Sequence, residues 1–497
     1  MENPKKLLLN TANQLYRAKN YRACLELLNA NEAEFAESET FFKIKGLALS
    51  ELNEHNQAVE CFVRAVKLNP LDPLPYVNIG NSLAKNLQFE EAEKYFNLAL
   101  TVESDYMEAI VGLGVSAFQR QEYEACEQHF KRALDLSPDN VTVMTNLGNC
   151  YSVQGRYDEA LTLLNKAIAR DKGNSLARTN RALIKLGRGN FDSAWEDYEY
   201  RWDSGNFMAN RFQELPRWAG PSGKAQNVLI WTEQGIGDEI MFGSIYNDLR
   251  ELPEKFFIEC DPRLYKIFVA SFPHAEFIPK GLVKNIAPLQ AQLPMASLGG
   301  LFRKNKKKFP RESGGFLKPS GKPLPAETLA ALHELPRPWI GVSWESYALT
   351  QNFRGRKSIS AGEFSALTNT LPGSMINLQF PNPHKHEKPA EQQIPDRVIT
   401  LPSLNLKNDI EGLVELIRQL DHVVTIGNSV AHLCGAFGVS TSVLLPSVPD
   451  WRWEHSGSES VWYASLKLIR NTRADDWSDL LTQVANQVKS LPMKAPR

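Results

Sequence analysis

A repeat with a period of 34 residues runs through the first 200 residues and constrains the fold more than any other feature. Each unit carries a small residue, a second small residue twelve positions later, and a large side chain four positions after that. The three series are Ala12, Gly46, Gly80, Gly114, Gly148 and Ala182; Cys24, Ala58, Ala92, Cys126, Ala160 and Ala194; and Leu28, Phe62, Phe96, Phe130, Leu164 and Tyr198. This spacing predicts helix pairs that approach closely at the small residues, with the large residue filling the gap before the next pair.

Turn residues such as Gly155 and Gly189 separate the two helices of a unit. The region resembles the tetratricopeptide repeat, and we predict a solenoid of six repeats over residues 1–202. Such solenoids present a concave face that binds peptides or proteins, and a spacer that only fixes geometry or dimerises is the alternative. The last unit is rich in aromatic residues, including Trp195 and Tyr198, which predicts docking onto the next domain.

Composition excludes several classes of protein. A net charge of −1 implies no electrostatic attraction to nucleic acid or to an anionic membrane. No apolar run approaches the length of a membrane span, and the apolar run near the start is too short to predict a signal peptide. The six cysteines form no CxxC pair, so neither a disulfide scaffold nor a metal site is expected, and a cytoplasmic location is favoured.

After a predicted linker at 203–224, strand-like and helix-like runs alternate. In the first half, 225–335, strands are predicted at 227–231, 255–260 and 275–278 and helices at 239–250 and 263–272, followed by a loop-rich region. In the second half, 336–497, strands are predicted at 339–344, 374–378, 397–399, 423–426 and 442–445, and helices at 361–371, 409–419, 429–437 and 476–490. This alternation predicts parallel sheets covered by helices. The predicted fold class is therefore α + α/β, an α-solenoid followed by a GT-B-like pair of Rossmann-like domains; other two-lobed α/β proteins would also fit the pattern.

A glycine turn follows the first predicted strand. Gly235 and Gly237 allow backbone or ligand to approach closely, and Asp238 falls at the mouth of the next helix. A carboxylate at that edge of a sheet can take the proton of an attacking hydroxyl. An aspartate that caps the helix is the alternative.

A second strand–turn–helix contains Gly427, Asn428 and Ser429, with His432 one turn into the helix. Backbone N–H groups and the helix dipole at such a turn can hold a diphosphate, and Asn428 and Ser429 add further donors. A hydrogen-bonded core histidine is the alternative for His432.

Several segments occur in the same order in a known family. They are Glu233 to Asp238, Gly341 to Trp344, Asn377 to Gln379, Ala431 to Gly438, Pro449 to Trp453, and Trp462 with Tyr463. Together they resemble bacterial tetratricopeptide-repeat glycosyltransferases, whose C-terminal part is similar to the heptosyltransferases of glycosyltransferase family 9. The architecture also looks like that of the protein O-GlcNAc transferases of family 41. The resemblance implies metal-independent transfer of a sugar, without a cofactor, from a nucleotide sugar to a protein or glycan acceptor that the repeats recruit.

The resemblance also implies roles for single residues. Asp238 matches the proposed base, and the diphosphate of the donor falls at Gly427 to His432. Relatives often carry Asp-Thr where this chain has Gly427-Asn428.

Further candidates lie at the expected cleft of the second half. Trp344 and Gln379 end strands there and are candidates to line the nucleotide pocket, although Trp344 is equally a candidate core residue. Arg354, Arg356 and Lys357 lie on a glycine-containing loop, where fixed cations would stabilise a departing diphosphate. A solvent-exposed loop is the alternative for these three residues.

Two other functions compete with the glycosyltransferase. A dinucleotide-dependent oxidoreductase would use Gly235, Gly237 and Glu259, but Ile240 replaces the third glycine of that fingerprint. The stronger alternative is a catalytically inactive scaffold that mediates protein–protein interactions, which the substitution at Gly427 and the short first half both favour.

Overall fold

The computed structural model describes residues 4–205, 210–221, 226–310, 314–346, 358–380, 394–473 and 476–490. The chain divides into two compact units, unit 1 at Met1–Ala177 and unit 2 at Arg178–Arg497. Among the residues in those ranges, no helix combines the length and apolar character that crossing a membrane requires.

Consecutive antiparallel helices build unit 1 and continue into unit 2. They are α1 (Pro4–Arg17), α2 (Tyr21–Asn29), α3 (Glu39–Glu51), α4 (His55–Leu68), α5 (Pro73–Lys85), α6 (Phe89–Val102), α7 (Met107–Gln119), α8 (Tyr123–Leu136), α9 (Val141–Val153), α10 (Tyr157–Arg170), α11 (Ser175–Gly187) and α12 (Phe191–Tyr198). Ser38, Asp72 and Asn140 cap helices by accepting backbone N–H bonds, which explains where α3, α5 and α9 begin. The predicted helical repeats are confirmed.

The small and large residues of the repeat meet inside each helix pair. A Cβ atom added at Gly80 would lie 2.5 Å from Cε1 of Phe96, and one added at Gly112 of the next repeat would lie equally close. Phe96 therefore fills the gap between two consecutive pairs, and glycine is needed on both sides of its ring.

The turn between the two helices of a repeat has a constant backbone geometry. Lys19, Asn53, Leu87, Gln121, Gly155 and Gly189 all have φ between 60° and 78°. These positions are 34 residues apart, so the left-handed conformation recurs in every repeat although glycine occupies only two of them. A search of the sequence for glycine turns therefore finds only the turns at Gly155 and Gly189.

The last repeat helix packs on the α/β part of unit 2. The ring of Trp195 lies against Gly299, where an added Cβ would be 2.5 Å from Cη2, and its Nε1 donates to the carbonyl of Arg303 at 3.0 Å. The buried Arg201 forms two hydrogen bonds with the carboxylate of Glu233, at 2.7 and 2.9 Å. The predicted docking of this aromatic helix is confirmed, and the packing explains why α12 groups with unit 2.

The first half of unit 2 contains a parallel sheet. Its elements are β1 (Asn227–Trp231), α13 (Ile236–Gly243), β2 (Lys255–Cys260), α14 (Tyr265–Ser271), β3 (Glu276–Pro279), β4 (Ala291–Pro294), α15 (Leu298–Phe302) and α16 (Ala326–His333). In the described residues the strand order is β3-β2-β1-β4, and every pair is parallel. Strand order reverses between β1 and β4, so the crevice at their carboxyl ends is the place where such sheets bind ligands.

The second half of unit 2 contains a larger parallel sheet. Its elements are β5 (Trp339–Ser343), α17 (Ala361–Thr368), β6 (Ser374–Asn377), β7 (Val398–Ile399), α18 (Ile410–Gln419), β8 (His422–Ile426), α19 (Ser429–Ala436), β9 (Thr441–Leu445), β10 (Leu466–Arg470) and α20 (Ser478–Lys489). Within the described ranges the order is β7-β6-β5-β8-β9-β10, and all pairs are parallel. This is the doubly wound order, with its reversal between β5 and β8.

Three sequence predictions need correction. The helix predicted at 239–250 is α13 followed by a separate 3-10 turn at Tyr246–Leu249. The region predicted as loop-rich contains β4, which lies beside β1 and is too short to show a period of its own. The predicted linker is packed at Arg217 and Trp218, because Trp218 donates its N–H to the carbonyl of Gln292 in β4 at 2.8 Å.

We expect Phe96→Ala to lower the free energy of unfolding of unit 1 by about 3–5 kcal/mol, because it opens a cavity between two repeats. Leu98→Ala is the matched control, since Leu98 lies in the same helix and is 44% exposed. Urea unfolding followed by circular dichroism reports the helices. Tryptophan fluorescence reports unit 2 alone, because the first tryptophan of the chain is Trp195. Equal effects of the two substitutions would contradict the packing described here.

Candidate functional site

The glycine turn after β1 places Asp238 in the first turn of α13. Gly235 is the N-cap residue of this helix and makes no side-chain cap, so the capping interpretation of Asp238 is wrong. Its Oδ1 instead accepts a hydrogen bond from Nε of Arg452 at 2.5 Å. Asp238 therefore faces the loop that follows β9, in the other half of unit 2.

Arg452 makes three side-chain hydrogen bonds, two of which connect the two halves. Besides Asp238, its Nη1 donates to Oδ1 of Asp450 at 2.7 Å and its Nη2 donates to Oε1 of Gln234 at 2.6 Å. The side chains of Arg452 and Asp238 are only 18% and 15% exposed. The sequence placed Arg452 in the family-like segment Pro449 to Trp453, as a residue that braces the C-terminal part, and did not predict its contacts with Gln234 and Asp238. The sequence signal for Arg452 was its place between two tryptophans, Trp451 and Trp453, just after Asp450. Only the fold shows that its partners in the other half are more than 200 residues away in the chain.

The loop that carries Arg452 is held rigidly. Arg470 in β10 donates hydrogen bonds to the carbonyls of Trp453, Glu454 and Ser456. Glu454 has φ of 52°, an unusual conformation for a residue other than glycine, and its carboxylate accepts from Nζ of Lys306 at 2.7 Å. This part of the chain therefore presents the guanidinium of Arg452 in a fixed position.

The second predicted turn lies where the strand order reverses, between the ends of β5 and β8. Asn428 is the N-cap of α19, and its Oδ1 accepts from the N–H groups of Val430 and Ala431 at 3.0 and 3.4 Å. Its Nδ2 donates to Oγ of Ser343 at 2.8 Å. Two backbone donors of the turn are thus already satisfied by the chain itself. The Oγ of Ser429 has no hydrogen-bond partner within the described part of the chain.

Gly427 is in close contact with Trp453. A Cβ atom at position 427 would lie 2.5 Å from Nε1 of Trp453, a buried indole that cannot easily move. An aspartate at position 427, which the family resemblance would lead us to expect, would therefore collide with this ring.

His432 is packed as a neutral imidazole. It is 5% exposed, its Nδ1 lies 2.8 Å from the hydroxyl of Tyr463, and its ring lies 4.7 Å from that of Trp453. Burial, and then the charge of Arg452, lower the pKa of His432 to about 3. A Cβ atom at Gly237 would lie 2.9 Å from Cδ2 of this ring, so Gly237 lets α13 approach α19 closely. These contacts favour the hydrogen-bonded core histidine over a charged diphosphate ligand.

Gln379 and Trp344 support the end of β5. Oε1 of Gln379 accepts from Oγ of Ser343 and from the N–H groups of Trp344 and Glu345, at 3.0, 3.2 and 2.9 Å. The ring of Trp344 is buried and lies 5.8 Å from that of Phe364. Both residues also border a cavity of about 640 Å³ at the carboxyl ends of β5 and β6. Arg354, Arg356 and Lys357 lie outside the described residues.

The buried acids of the first half already have partners. The carboxylate of Glu259 makes two hydrogen bonds with Arg211, both of 2.9 Å, and accepts another from Oγ1 of Thr232 at 3.1 Å. It is therefore engaged where a dinucleotide-binding enzyme would need a ribose ligand. Within the described ranges, no group of three or more His, Cys, Asp and Glu side chains is arranged to hold a metal ion.

Comparison with known proteins identifies the repeats. Models of the tetratricopeptide repeat match residues 44–70, 75–106, 105–173 and 145–208. The chain is 27% identical over 329 residues to Protein FlbA of Caulobacter vibrioides. That alignment covers 62% of this chain and 54% of FlbA, so the chain spans about half the length of the curated relative that it matches.

Solved structures resemble part of the chain. A structure of MamA from Desulfovibrio magneticus is 20% identical, with a TM-score of 0.31, and the match covers 35% of this chain and 98% of that one. A tetratricopeptide repeat protein from Parabacteroides merdae is 18% identical, with a TM-score of 0.37, and the match covers 41% of this chain and 80% of that one. The matches to the repeat models lie within residues 44–208.

Glu239, beside Asp238, gives a pH-dependent test of this site. It is buried, and its Oε2 accepts from the N–H of Asp261 at 2.7 Å. Burial raises the pKa of Glu239 to about 8. Because its pKa in an unfolded chain is about 4.3, the folded protein binds the extra proton between these values and loses stability as pH rises through this window.

Glu239→Gln keeps the hydrogen-bond acceptor for the N–H of Asp261. We expect this variant to be more stable than the wild type at pH 8, by about 1.4 kcal/mol for each unit by which folding raises the pKa of Glu239. The difference should vanish near pH 4. Glu251→Gln changes an exposed residue of the same half and serves as the control. Urea unfolding followed by tryptophan fluorescence at several pH values measures the effect, and a difference that does not change with pH would contradict the buried, protonated carboxyl group.

Proposed function

We propose that this chain is a GT-B glycosyltransferase that moves a sugar from a nucleotide-activated donor to an acceptor recruited by its repeats. One observation carries the proposal: the turns at the carboxyl ends of the two parallel sheets meet. Arg452, after β9, is bonded to Gln234 and Asp238, after β1. Because ligands of doubly wound sheets bind at this edge, a donor on one sheet would lie beside a base on the other.

The chemistry requires a base and a site for the leaving group. The acceptor hydroxyl oxygen forms a bond to the anomeric carbon of the sugar, while the bond from that carbon to the phosphate oxygen breaks. The electron pair leaves with the nucleoside diphosphate, and the hydroxyl proton passes to the carboxylate of Asp238. Arg452, the N-terminal turn of α19 and Ser429 supply positive charge and donors for the diphosphate, which makes a metal ion unnecessary.

The repeats supply a surface for a polypeptide acceptor. A cavity of about 490 Å³ in unit 1 is bordered by Leu47, Asn81 and Val115. These residues occupy the same position in three consecutive repeats, so the cavity follows the direction of the array. Such a surface suits an extended chain better than a compact ligand.

The second candidate is a scaffold without turnover. Trp453 occupies space beside Gly427, and Asn428 uses two backbone donors of the turn as a cap. Both features reduce the number of groups available to a diphosphate. Binding of a nucleotide sugar distinguishes the two candidates, because only the glycosyltransferase requires it.

Nucleotide sugars should raise the melting temperature of the purified chain. The chain should also hydrolyse the bound nucleotide sugar slowly, which releases nucleoside diphosphate. A ligand present at 100 times its dissociation constant adds about 2.7 kcal/mol of stability. Asp238→Asn should keep the thermal shift and lower the hydrolysis rate about 100-fold or more, because it removes the base and leaves the donor site intact. Ser429→Asp should abolish the thermal shift, because it adds a negative charge where the diphosphate binds.

Asp248→Asn is the control for these variants, since Asp248 pairs with Arg303 and not with Arg452, and the substitution changes the net charge by the same amount as Asp238→Asn. If no uridine, guanosine, adenosine, cytidine or thymidine diphosphate sugar shifts the melting temperature at millimolar concentration, the enzyme is refuted and the scaffold stands.

A further inference from the structure

The guanidinium of Arg452 contacts the carboxylate of Asp238 and lies in the loop next to the turn that begins α19. Its guanidinium donates to Asp238 on one side and to Asp450 on the other, at 2.5 and 2.7 Å. Asp450 belongs to the same loop and also accepts the backbone N–H of Arg452 at 3.2 Å. The contact with Asp450 therefore keeps the guanidinium in place even when the contact with Asp238 is broken.

The residue after Arg452 lies on the turn that begins α19. Trp453 is 3% exposed, and its Nε1 donates to no acceptor within the described part of the chain. That nitrogen lies beside Gly427, and its ring packs on His432. The indole N–H of Trp453 therefore lies at the turn that also carries Ser429 and the N-terminus of α19. An anion bound between this turn and Arg452 would meet hydrogen-bond donors from both.

Two anions compete for this arginine. The carboxylate of Asp238 carries one negative charge, whereas a nucleoside diphosphate carries more charge and offers oxygens to Arg452, Trp453 and Ser429 together. The carboxylate has only the arginine as a charged partner among the described residues. A bound diphosphate is therefore the stronger ligand for the guanidinium.

We propose that Arg452 exchanges Asp238 for the diphosphate of the donor, and that this exchange frees the base. The inference rests on the proposed function and specifies how its site is regulated. Before the donor binds, Arg452 occupies Oδ1 of Asp238, the atom that would accept the proton of the acceptor hydroxyl. After the donor binds, the carboxylate is released while the arginine stays with the leaving group. The base becomes available only in the complex with the donor, so the donor binds before the acceptor reacts.

Linkage makes this exchange measurable at equilibrium. If Asp238 and the diphosphate compete for one arginine, removing the charge of Asp238 must increase the affinity for the diphosphate. We expect Asp238→Asn to bind at least about fivefold more tightly than the wild type, the lower end of common coupling energies. Asparagine still accepts a hydrogen bond from Nε of Arg452, so the fold is preserved. A residue with only a structural role would not raise affinity when it is changed.

The experiment is isothermal titration of the full chain with inorganic pyrophosphate and with the five common nucleoside diphosphates. The variants are Asp238→Asn, Arg452→Gln, Arg452→Lys and Asp248→Asn. Arg452→Gln should weaken binding about tenfold or more, and Arg452→Lys should recover part of the loss because it keeps the charge. Asp248→Asn should change affinity less than about twofold, which removes a general effect of net charge. Circular dichroism confirms that each variant is folded.

The outcomes separate this inference from the proposed function. Tighter binding by Asp238→Asn, with no gain in Asp248→Asn, supports the exchange, as does binding that only Asp238→Asn shows. Equal or weaker binding by Asp238→Asn, with clear binding by the wild type, overturns the exchange and leaves the glycosyltransferase standing. Failure of every probe to bind to both the wild type and Asp238→Asn refutes the exchange and the proposed function together.

Discussion

The ion pair between Arg452 and Asp238 is the contact around which the proposed crevice of unit 2 is arranged. It joins the turn after β1 to the loop after β9, and Gln234 completes the link with a third hydrogen bond to the same guanidinium. Burying such a pair is costly unless every donor and acceptor is satisfied, and here each terminal nitrogen of the arginine has a partner. Hydrogen bonds from Arg470 to the carbonyls of Trp453, Glu454 and Ser456 fix the loop that carries Arg452. The polar contacts of Arg452 with Gln234 and Asp238 hold the turn after β1 against the loop after β9, and a more strongly charged ligand would replace them, while apolar packing such as Phe242 on Trp451 also joins the two halves.

Close packing at two glycines defines the shape of the crevice. Gly237 admits the ring of His432 and Gly427 admits the indole of Trp453, and the two rings pack on each other. His432 is consequently a neutral part of the core. The sequence made it a candidate diphosphate-binding residue because it lies in the first turn of α19. A side chain at position 427 would require a smaller residue at 453, and the space beside Gly427 is instead occupied by an indole N–H, which is a hydrogen-bond donor.

The sequence predicted the repeats and most strands of unit 2 because both have strong periodicity. The 34-residue series located Gly80 and Phe96 as partners, and the apolar runs located β1, β5 and β8. It did not predict β4, whose four residues carry no period, or the left-handed turns at residues without glycine. For the candidate site, Asp238 and Asn428 were predicted because each follows a strand in a recognisable turn, and their roles stay predictions. Arg452 was predicted only to brace the C-terminal part, because its partners Gln234 and Asp238 are brought near by the tertiary fold.

Hydrogen exchange of the full chain, measured by mass spectrometry with and without a nucleoside diphosphate, tests most directly whether the crevice binds the donor. We expect slower exchange in peptides that contain residues 428–432 and 450–454, because the diphosphate would cover the start of α19 and the loop of Arg452. Exchange around Asp238, whose ion pair is released, should be faster or unchanged. Slower exchange confined to other segments, or none with any of the five diphosphates at millimolar concentration, would contradict the account.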